Sequence, residues 1–329
     1  MTSERPGISV ILATDNYETI RRVVDCLCRQ TVKSQLELVI LVPERTSLGL
    51  DESHLDGLAG VRVVEVGTID GLARPRVIGI HAASAPIVVI GETHCYPHPG
   101  WAEALIEAHR QPWTVVVPGF GNANPVSALS WAAFLRDYGF WLAGLPAGEI
   151  SMTPTHNVAY KREALLELGS GLERALTHGD QLNVHFRARG HRVYFEPAAR
   201  TDHLNVSRPA DWLWERFLCG LLIGGQRAER WPWHKRLLYF AASPLIPAVI
   251  LSRTRKGLRQ ARRQTRLPAG TIPGLIAGSV ISGLGELVGY ARGAGRTAQR
   301  QMTEYEVHKV RYGSPMAHYS SPAVSNHQA

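Results

Sequence analysis

Short runs of β-branched and aliphatic residues alternate with helix-like stretches through the first hundred residues of the chain. The runs lie at Ile8–Ala13, Leu36–Val42, residues 61–66 and Ile87–Ile90. Residues 18–30 space their apolar side chains three and four apart, the pattern of a helix with one buried face, and residues 72–83 form a second helical stretch. This alternation predicts an α/β fold, a doubly wound and mostly parallel sheet flanked by helices.

The alternation continues less regularly towards residue 200. In chain order the sequence predicts helix Trp101–His109, strand 115–118, helices 161–168 and 180–189, and strand 192–196. Residues 119–155 are rich in Gly, Pro, Asn and Trp and are expected to be irregular. Pro197 is expected to end the last strand.

A carboxylate and an imidazole follow the fourth predicted strand. Glu92 and His94 stand two residues apart, directly after the apolar run 85–91. Residues two apart in an extended chain share a side, and open α/β sheets bind their ligands beyond the carboxyl ends of their strands. Both side chains are metal ligands, so the pair is a candidate metal site. The alternative is a turn whose polar residues only meet water.

Charge is distributed unevenly along the chain. Of its net charge of +8, residues 1–226 contribute −4 and residues 227–329 contribute +12. Basic tails bind nucleic acid or anionic lipid. The four cysteines have no metal-site spacing, which indicates reduced thiols in a protein that faces the cytosol, and no secretory signal is expected.

Two apolar segments bracket the basic part of the tail. Residues 237–251 are apolar apart from two prolines, residues 253–266 carry seven Arg and Lys, and residues 272–290 are apolar apart from Glu286. Such a pattern predicts a membrane-associated hairpin or re-entrant region with a basic loop at 253–266 on the cytoplasmic side, where anionic lipid is its partner. A helical lid packed on the domain is the alternative. Nucleic acid is not expected as a partner, because basic residues do not interleave with exposed aromatics.

Six segments between residues 7 and 205 together resemble the family-2 glycosyltransferases, which share the GT-A fold. They are the opening strand with Thr14-Asp15-Asn16, the helix that ends at Gln30-Thr31, the second strand, Gly71 to Arg76, Pro97 to Trp101, and His156 to Arg162. The resemblance covers roughly three-fifths of the chain. It implies a nucleotide-sugar donor and an inverting transfer.

The resemblance also implies a divalent metal cofactor, Mn²⁺ or Mg²⁺. The Asp-x-Asp motif of the family falls on Glu92 and His94. The family often supplies a further ligand after its late strand, and His203 matches that position, with Asp202 as the alternative. An imidazole ligand favours Mn²⁺, because Mg²⁺ prefers oxygen ligands throughout.

The resemblance also implies which residues bind the donor, which bind the acceptor and which one removes the proton of the acceptor hydroxyl. The donor-binding candidates are Thr14, Asp15, Glu44, Asp70, Arg76 and Thr93. Val42-Pro43 replaces the usual Asp-Asp of the family, which leaves Asp15 or Glu44 to recognise the base. His156 and Asn157 match the acceptor side. Asp180 is the expected catalytic base, although it is displaced by about one residue from the family position, with His178 as the alternative.

We therefore expect three regions and one principal activity. Residues 1–230 form the GT-A glycosyltransferase domain, 231–312 a helical membrane-associated region, and 313–329 a disordered tail. The expected enzyme moves a hexose-type sugar to a lipid-linked or glycan acceptor at the cytoplasmic face of the membrane, as in polysaccharide biosynthesis. The alternatives are transfer to polyprenyl phosphate and a non-catalytic scaffold that binds nucleotide or glycan.

Overall fold

One mixed sheet forms the centre of the molecule. The computed structural model describes residues 5–50 and 55–313, so the predicted tail lies beyond the described chain except for its first residue. The strands are β1 (Ile8–Ala13), β2 (Leu36–Val42), β3 (Gly60–Glu65), β4 (Ile87–Ile90), β5 (Cys95–Pro97), β6 (Val115–Asn122), β7 (Gly148–Glu149), β8 (Ala159–Lys161) and β9 (Val193–His203). They are arranged in the order β3-β2-β1-β4-β8-β6-β9-β5, and β7 pairs with β9.

Helices cover both faces of the sheet and continue beyond it. They are α1 (Tyr17–Cys28), α2 (Ala73–Ala82), α3 (Trp101–His109), α4 (Ala128–Asp137), α5 (Arg162–Leu166), α6 (Leu172–Thr177), α7 (Gly179–Ala188), α8 (Pro209–Arg230), α9 (Trp233–Ala242), α10 (Ile246–Gln264), α11 (Thr271–Arg292) and α12 (Gly295–Val307). One core layer lies on each side of the sheet, and both are built from the buried aliphatic residues of β1, β2 and β4.

The first half of the sheet is parallel, as the sequence predicts. β1 pairs in parallel with β2 on one side and with β4 on the other, and β3 extends β2. The second half is mixed, because β8 runs antiparallel between β4 and β6. The chain leaves β1 towards β3 and then returns to the opposite side of β1 as β4. Strand order therefore reverses between β1 and β4, and that is where such sheets open a crevice at their carboxyl edge.

Two sequence predictions in the second half of the domain are wrong. Residues 119–155 contain the well-packed helix α4, which buries Trp131 and Phe134 and whose N-terminus is capped by the side chain of Ser127. Pro197 does not end the last strand, because β9 bulges there: its register with β6 shifts between Pro118 and Gly119. A bulge accommodates the proline without ending the ladder, and β9 continues to His203.

The C-terminal helices pack partly on the domain and partly outward. Close backbone contact joins α8 to α11, since a Cβ on Gly220 would lie 2.0 Å from the Ser282 carbonyl oxygen. The basic residues 253–264 belong to helix α10, so the predicted basic loop at 253–266 is wrong for all but its last two residues. Helix α10 continues through the charged stretch because Arg and Lys are good helix formers.

Within residues 5–50 and 55–313, two helical stretches are long and apolar enough to cross a membrane. They are Trp233–Gln264 and Thr271–Arg292, with mean hydropathies of 1.4 and 1.5 over their most apolar windows. Half of the second window is buried against the protein, whereas only 11% of the first is. The first stretch, α9 with α10, is therefore the one whose apolar side chains face outward.

Candidate metal centre and donor crevice

The turn after β4 places Glu92 and His94 at the reversal of strand order. The backbone N–H of Gly91 donates to the carbonyl of Ile11 (2.9 Å), which keeps the chain beside β1 for one residue past the strand. Glu92 and His94 then face the same side, as their spacing predicts, with Oε2 and Nε2 3.6 Å apart. These side chains lie at the carboxyl edge of the parallel half of the sheet.

The end of β9 brings His203 to the same point. β5 pairs antiparallel with β9, and Cys95 lies opposite His203 in that ladder. The two imidazole Nε2 atoms of His94 and His203 are 3.1 Å apart, and His203 Nε2 lies 3.6 Å from Glu92 Oε2. All three side chains are buried, and their ligand atoms lie within 4.8 Å of one another. The structure thus brings the three predicted metal ligands together.

Hydrogen bonds on the far side of each ring fix which nitrogen carries the proton. The Thr93 hydroxyl donates to the Val307 carbonyl (2.8 Å), so its oxygen is left to accept from His94 Nδ1 (3.2 Å). Asn205 donates its amide to the His203 carbonyl, which leaves its Oδ1 to accept from His203 Nδ1 (3.0 Å). Both Nε2 atoms therefore present lone pairs to each other and to the Glu92 carboxylate.

A divalent cation fits this arrangement. Three acceptor atoms that lie 3.1 to 3.6 Å from one another repel unless a positive charge lies between them. Two atoms each about 2.1 Å from one ion are about 3.0 Å apart at a right angle and about 3.4 Å apart at the tetrahedral angle. The observed separations of 3.1 and 3.6 Å are close to that range. Two imidazoles and one carboxylate suit Mn²⁺ or Zn²⁺ better than Mg²⁺.

Asn157 and Tyr138 orient the Glu92 carboxylate. Asn157 has a φ of 55°, the left-handed conformation, and its backbone N–H donates to the Ile90 carbonyl (2.7 Å). From there its side-chain amide donates to Glu92 Oε2. The Tyr138 hydroxyl lies 3.5 Å from the same oxygen. Asn157, which the family resemblance implies as an acceptor contact, donates its side-chain amide to Glu92 in this structure.

Burial controls the protonation of the three ligands. It raises the pKa of Glu92 to about 7, and the nearby charge of Glu306 acts in the same direction. It lowers the pKa of both His94 and His203 well below the usual range, and the charge of Lys309 adds to this. Both imidazoles are therefore neutral at physiological pH, which is the form that binds a metal.

Asp202, the alternative to His203, points to other partners. Its Oδ2 lies 3.0 Å from His98 Nε2, and its Oδ1 accepts from Arg200 Nε at 3.3 Å. Neighbouring residues of a strand face opposite sides, so His203 and Asp202 cannot both reach the cluster. The geometry favours His203 as the ligand.

Most of the predicted donor residues follow the carboxyl ends of the parallel strands, and two of them contact residues near the end of the described chain. Thr14 is buried at the end of β1, Thr93 is buried beside the metal ligands, and Arg76 is buried in α2. Asp15 Oδ2 lies 3.0 Å from His308 Nε2, and Asp70 Oδ2 accepts from Arg300 (2.8 Å). Glu44 is exposed at the start of a short helical turn.

Two clefts meet above the cluster. One of 460 Å³ runs from Glu92 and His203 towards α8 and α10, and one of 350 Å³ runs from Arg76 towards α6 and α12. His156 lines both clefts, and its Nδ1 is buried with no hydrogen-bond partner among the described residues.

The predicted base lies near the second cleft. Asp180 is in the first turn of α7, and its side chain is outside the described part of the structure. Thr177, three residues earlier, lines the 350 Å³ cleft. His178, the alternative base, is buried at the junction of α6 and α7. Two further carboxylates that the sequence did not single out, Asp137 and Glu306, line both clefts.

The end of the chain covers the crevice, which the sequence analysis missed. Glu306 Oε2 lies 3.8 Å from His94 Nε2, and Lys309, buried beside it, contacts Glu306 Oε1 at 2.9 Å. Asp137 is held by Arg136 and Arg216 (3.0 and 2.7 Å). None of these residues belongs to a short local motif, so only their three-dimensional placement identifies them.

Comparison with known proteins finds a family domain that contains part of this site, Glu92 and His94. Residues 9–169 match the model of the glycosyl transferase family 2. The chain is similar to a human probable polypeptide N-acetylgalactosaminyltransferase 8 (27% identical; 61% of this chain and 37% of the relative) and to a Caenorhabditis elegans probable N-acetylgalactosaminyltransferase 8 (26% identical; 62% and 56%). It thus spans about a third to a half of these relatives.

A solved structure shows a weaker likeness. It is the crystal structure of GalNAc-T7 with UDP, GalNAc and Mn²⁺, which is 16% identical, has a TM-score of 0.45, and is matched over 60% of this chain and 42% of that one. The family match includes β1, β2, β4 and the Glu92–His94 turn, all on a mixed α/β sheet of the GT-A type. Residues 9–169 are therefore a glycosyl transferase family 2 domain.

Proposed function

We propose that this protein is a metal-dependent, inverting glycosyltransferase that uses a nucleotide-sugar donor. The observation that carries the proposal is the convergence of Glu92, His94 and His203 at the strand reversal of a family-2 domain. A sheet of this type binds its ligands at that edge. The crevice beside the cluster, which Asp15, Asp70 and Arg76 border, is the place for the nucleotide.

The residues around the cluster suit the departure of a diphosphate. A bound divalent cation supplies positive charge that stabilises the leaving nucleoside diphosphate. Arg76, buried in α2, adds a second positive charge close to Glu92. Asp180 takes the proton of the attacking hydroxyl: its helix begins beside the 350 Å³ cleft that Thr177 lines, and that cleft shares Asp137 and His156 with the 460 Å³ cleft. One base on the acceptor side gives a single displacement and inversion.

The 460 Å³ cleft is the proposed acceptor site, and its far end supports a lipid-linked acceptor. It runs from Glu92 and His203 to Ile223 on α8 and Ile250 on α10. The outer faces of α9 and α10 expose Trp233, Leu238 and Leu245 by 76%, 63% and 65%. Arg and Lys residues follow in the second half of α10. Apolar side chains beside cations suit insertion at an anionic membrane surface, on the cytoplasmic face.

The names of the relatives suggest a sugar and a second type of acceptor. Both are called N-acetylgalactosaminyltransferases, and one is called a polypeptide transferase. N-acetylgalactosamine is therefore the first donor sugar to test, and a polypeptide is the acceptor to set against a lipid-linked glycan and a bare polyprenyl phosphate.

Donor hydrolysis and thermal stability of the full chain test the proposal. We expect uridine, guanosine or thymidine diphosphate to raise the Tm only when Mn²⁺ is present, and the matching nucleotide sugar to be hydrolysed or transferred. Glu92→Gln and Asp180→Asn should each abolish turnover, while only Glu92→Gln should remove the Mn²⁺-dependent shift. Glu107→Gln, on the exposed face of α3, is the matched control.

Three results would count against parts of the proposal. Absence of any Mn²⁺-dependent nucleotide binding would contradict the assignment of the cluster. Binding without turnover across all donors and acceptors would favour the non-catalytic scaffold. Full activity of Asp180→Asn would exclude Asp180 as the base and leave Asp137 and Glu306 as the carboxylates of the clefts.

A further inference from the structure

A carboxylate from outside the family domain reaches the metal cluster. Glu306 lies in the last turn of α12, more than a hundred residues beyond the family match. Its Oε2 is 3.8 Å from His94 Nε2, and Glu306, Glu92 and His156 offer ligand atoms within 4.8 Å of one another. Two atoms bound to the same ion are at most about 4.2 Å apart for bonds of about 2.1 Å. The His94–Glu306 separation is within that limit.

Two buried acceptor atoms face this part of the cluster. Glu92 Oε2 accepts from Asn157, but Glu92 Oε1 is buried with no hydrogen-bond partner among the described residues. The Nδ1 atom of His156 is also buried with no hydrogen-bond partner among those residues. Leaving a buried acceptor unsatisfied costs about 1–3 kcal/mol, and more for a charged group. A positive ion bound by the carboxylates of Glu92 and Glu306 lowers this cost at Glu92.

The end of the chain is held in place so that Glu306 points to the cluster. The Thr93 hydroxyl donates to the Val307 carbonyl, and His308 Nε2 lies 3.0 Å from Asp15 Oδ2. Lys309, which is 5% exposed, contacts Oε1 of Glu306 and leaves Oε2 directed at His94. These contacts fix the C-terminal segment, defined here as residues 295–312, over the donor crevice.

We propose that Glu306 is a ligand of the same cation as Glu92, His94 and His203, so that the ion joins the C-terminal segment to the catalytic edge. Metal occupancy and closure of the segment are then coupled: each stabilises the other. The closed segment forms the roof of the donor crevice. This inference rests on the proposed metal-dependent function, and its test separates the two.

Mn²⁺ titration of the full chain, followed by electron paramagnetic resonance, measures the first consequence. The wild type should bind one ion per chain. Loss of partners that only orient metal ligands lowers metal affinity about 10- to 100-fold, so loss of a ligand in Glu306→Gln should lower it at least about tenfold. Glu304→Gln removes the same charge two residues earlier, on a side chain that is 47% exposed, and should leave affinity unchanged.

Hydrogen exchange measures the coupling without any need for activity. Mn²⁺ should slow amide exchange within residues 295–312 of the wild type and of Glu304→Gln, but not of Glu306→Gln. Glu306→Asp is the second variant, because it keeps the charge for Lys309 and withdraws the carboxylate by one methylene. It should also lose affinity and protection, whether or not Glu306→Gln folds stably.

The outcomes separate failure of the metal-dependent function from failure of Glu306 as a metal ligand. If the wild type binds no Mn²⁺, the metal-dependent function fails and this inference with it. If Glu92→Gln lowers affinity while Glu306→Gln and Glu306→Asp both match Glu304→Gln, only the inference is overturned. Binding of two ions per chain, or equal exchange in residues 295–312 with and without Mn²⁺, also overturns it.

Discussion

Replacement of Asn157 tests how the metal-binding carboxylate is positioned. Asn157→Gly removes the amide that donates to Glu92 but keeps a residue that accepts a φ of 55°. A hydrogen bond to a charged group contributes about 1.5–3 kcal/mol, so the free energy of unfolding should fall by about that amount. Asn157→Ala loses the same bond and also places a Cβ in the left-handed conformation, which costs about 1–2 kcal/mol.

The two variants separate the hydrogen bond from the backbone. Glycine gains about 0.4–1 kcal/mol of unfolded-chain entropy relative to alanine, so Asn157→Ala should be less stable than Asn157→Gly by roughly 0.5–1 kcal/mol. Both should lose about 10- to 100-fold in Mn²⁺ affinity, because the lost contact orients a ligand. Urea unfolding and Mn²⁺ titration measure the two quantities. Wild-type Mn²⁺ affinity in Asn157→Gly would refute the reasoning.

Three further predictions concern the sheet, the helix packing and the outer helices. Burial opposes ionisation of Glu37, but hydrogen bonds from Ser84 and Ser9 and the charge of Arg62 outweigh it, so the pKa of Glu37 lies below its usual value. The stability that this ionised carboxylate contributes is present above about pH 4.3 and is lost as the pH falls through the native pKa. Glu37→Gln should therefore lower stability at pH 7 and flatten the loss of stability in acid, which unfolding at several pH values measures; an unchanged acid profile would contradict this. Gly220→Ala should lower the free energy of unfolding by roughly 1–3 kcal/mol despite the better helix propensity of alanine, because its Cβ would overlap the Ser282 carbonyl oxygen. Gly283→Ala, whose Cβ would lie 3.3 Å from a proline side chain, should leave the free energy of unfolding nearly unchanged. Leu238→Asp should weaken binding to vesicles that contain anionic lipid, because it places a charge on the exposed apolar face of α9, and Mn²⁺ binding should stay unchanged. If the variant and the wild type sediment equally with vesicles, α9 does not face the membrane.

The parallel half of the sheet could be predicted from sequence because its signals are local. β1, β2 and β4 have the predicted bounds, since each is a short aliphatic run buried on both faces. The Glu92–His94 pair followed from the spacing of two residues after a strand. His203 came from the family resemblance, and the ladder between β5 and β9 explains its placement.

The remaining features depend on contacts between distant residues, which local patterns do not encode. α4 was missed because its tryptophan and the surrounding Gly and Pro indicate irregular chain, while its burial against α11 and β6 stabilises a helix. The continuation of β9 past Pro197 depends on a bulge that only its pairing with β6 defines. Glu306 and Lys309 lie in a polar helix without a motif, and only the fold brings them to Glu92.

The return of the chain to Thr93 has a practical consequence for isolating the catalytic half. A protein shortened at Arg230, the boundary that composition suggests, would lose Val307 and with it the carbonyl that accepts from the Thr93 hydroxyl. The proton on His94 would then no longer be fixed, and Asp15 would lose His308. Excision of Trp233–Gln264 is the better design, because it removes the most exposed apolar stretch and spares every residue of the crevice except those that α10 contributes to the acceptor cleft. The bridge must span the length of α11, about 33 Å, because α8 and α11 run parallel: Gly278 packs against Trp212 and Gly289 against Leu221.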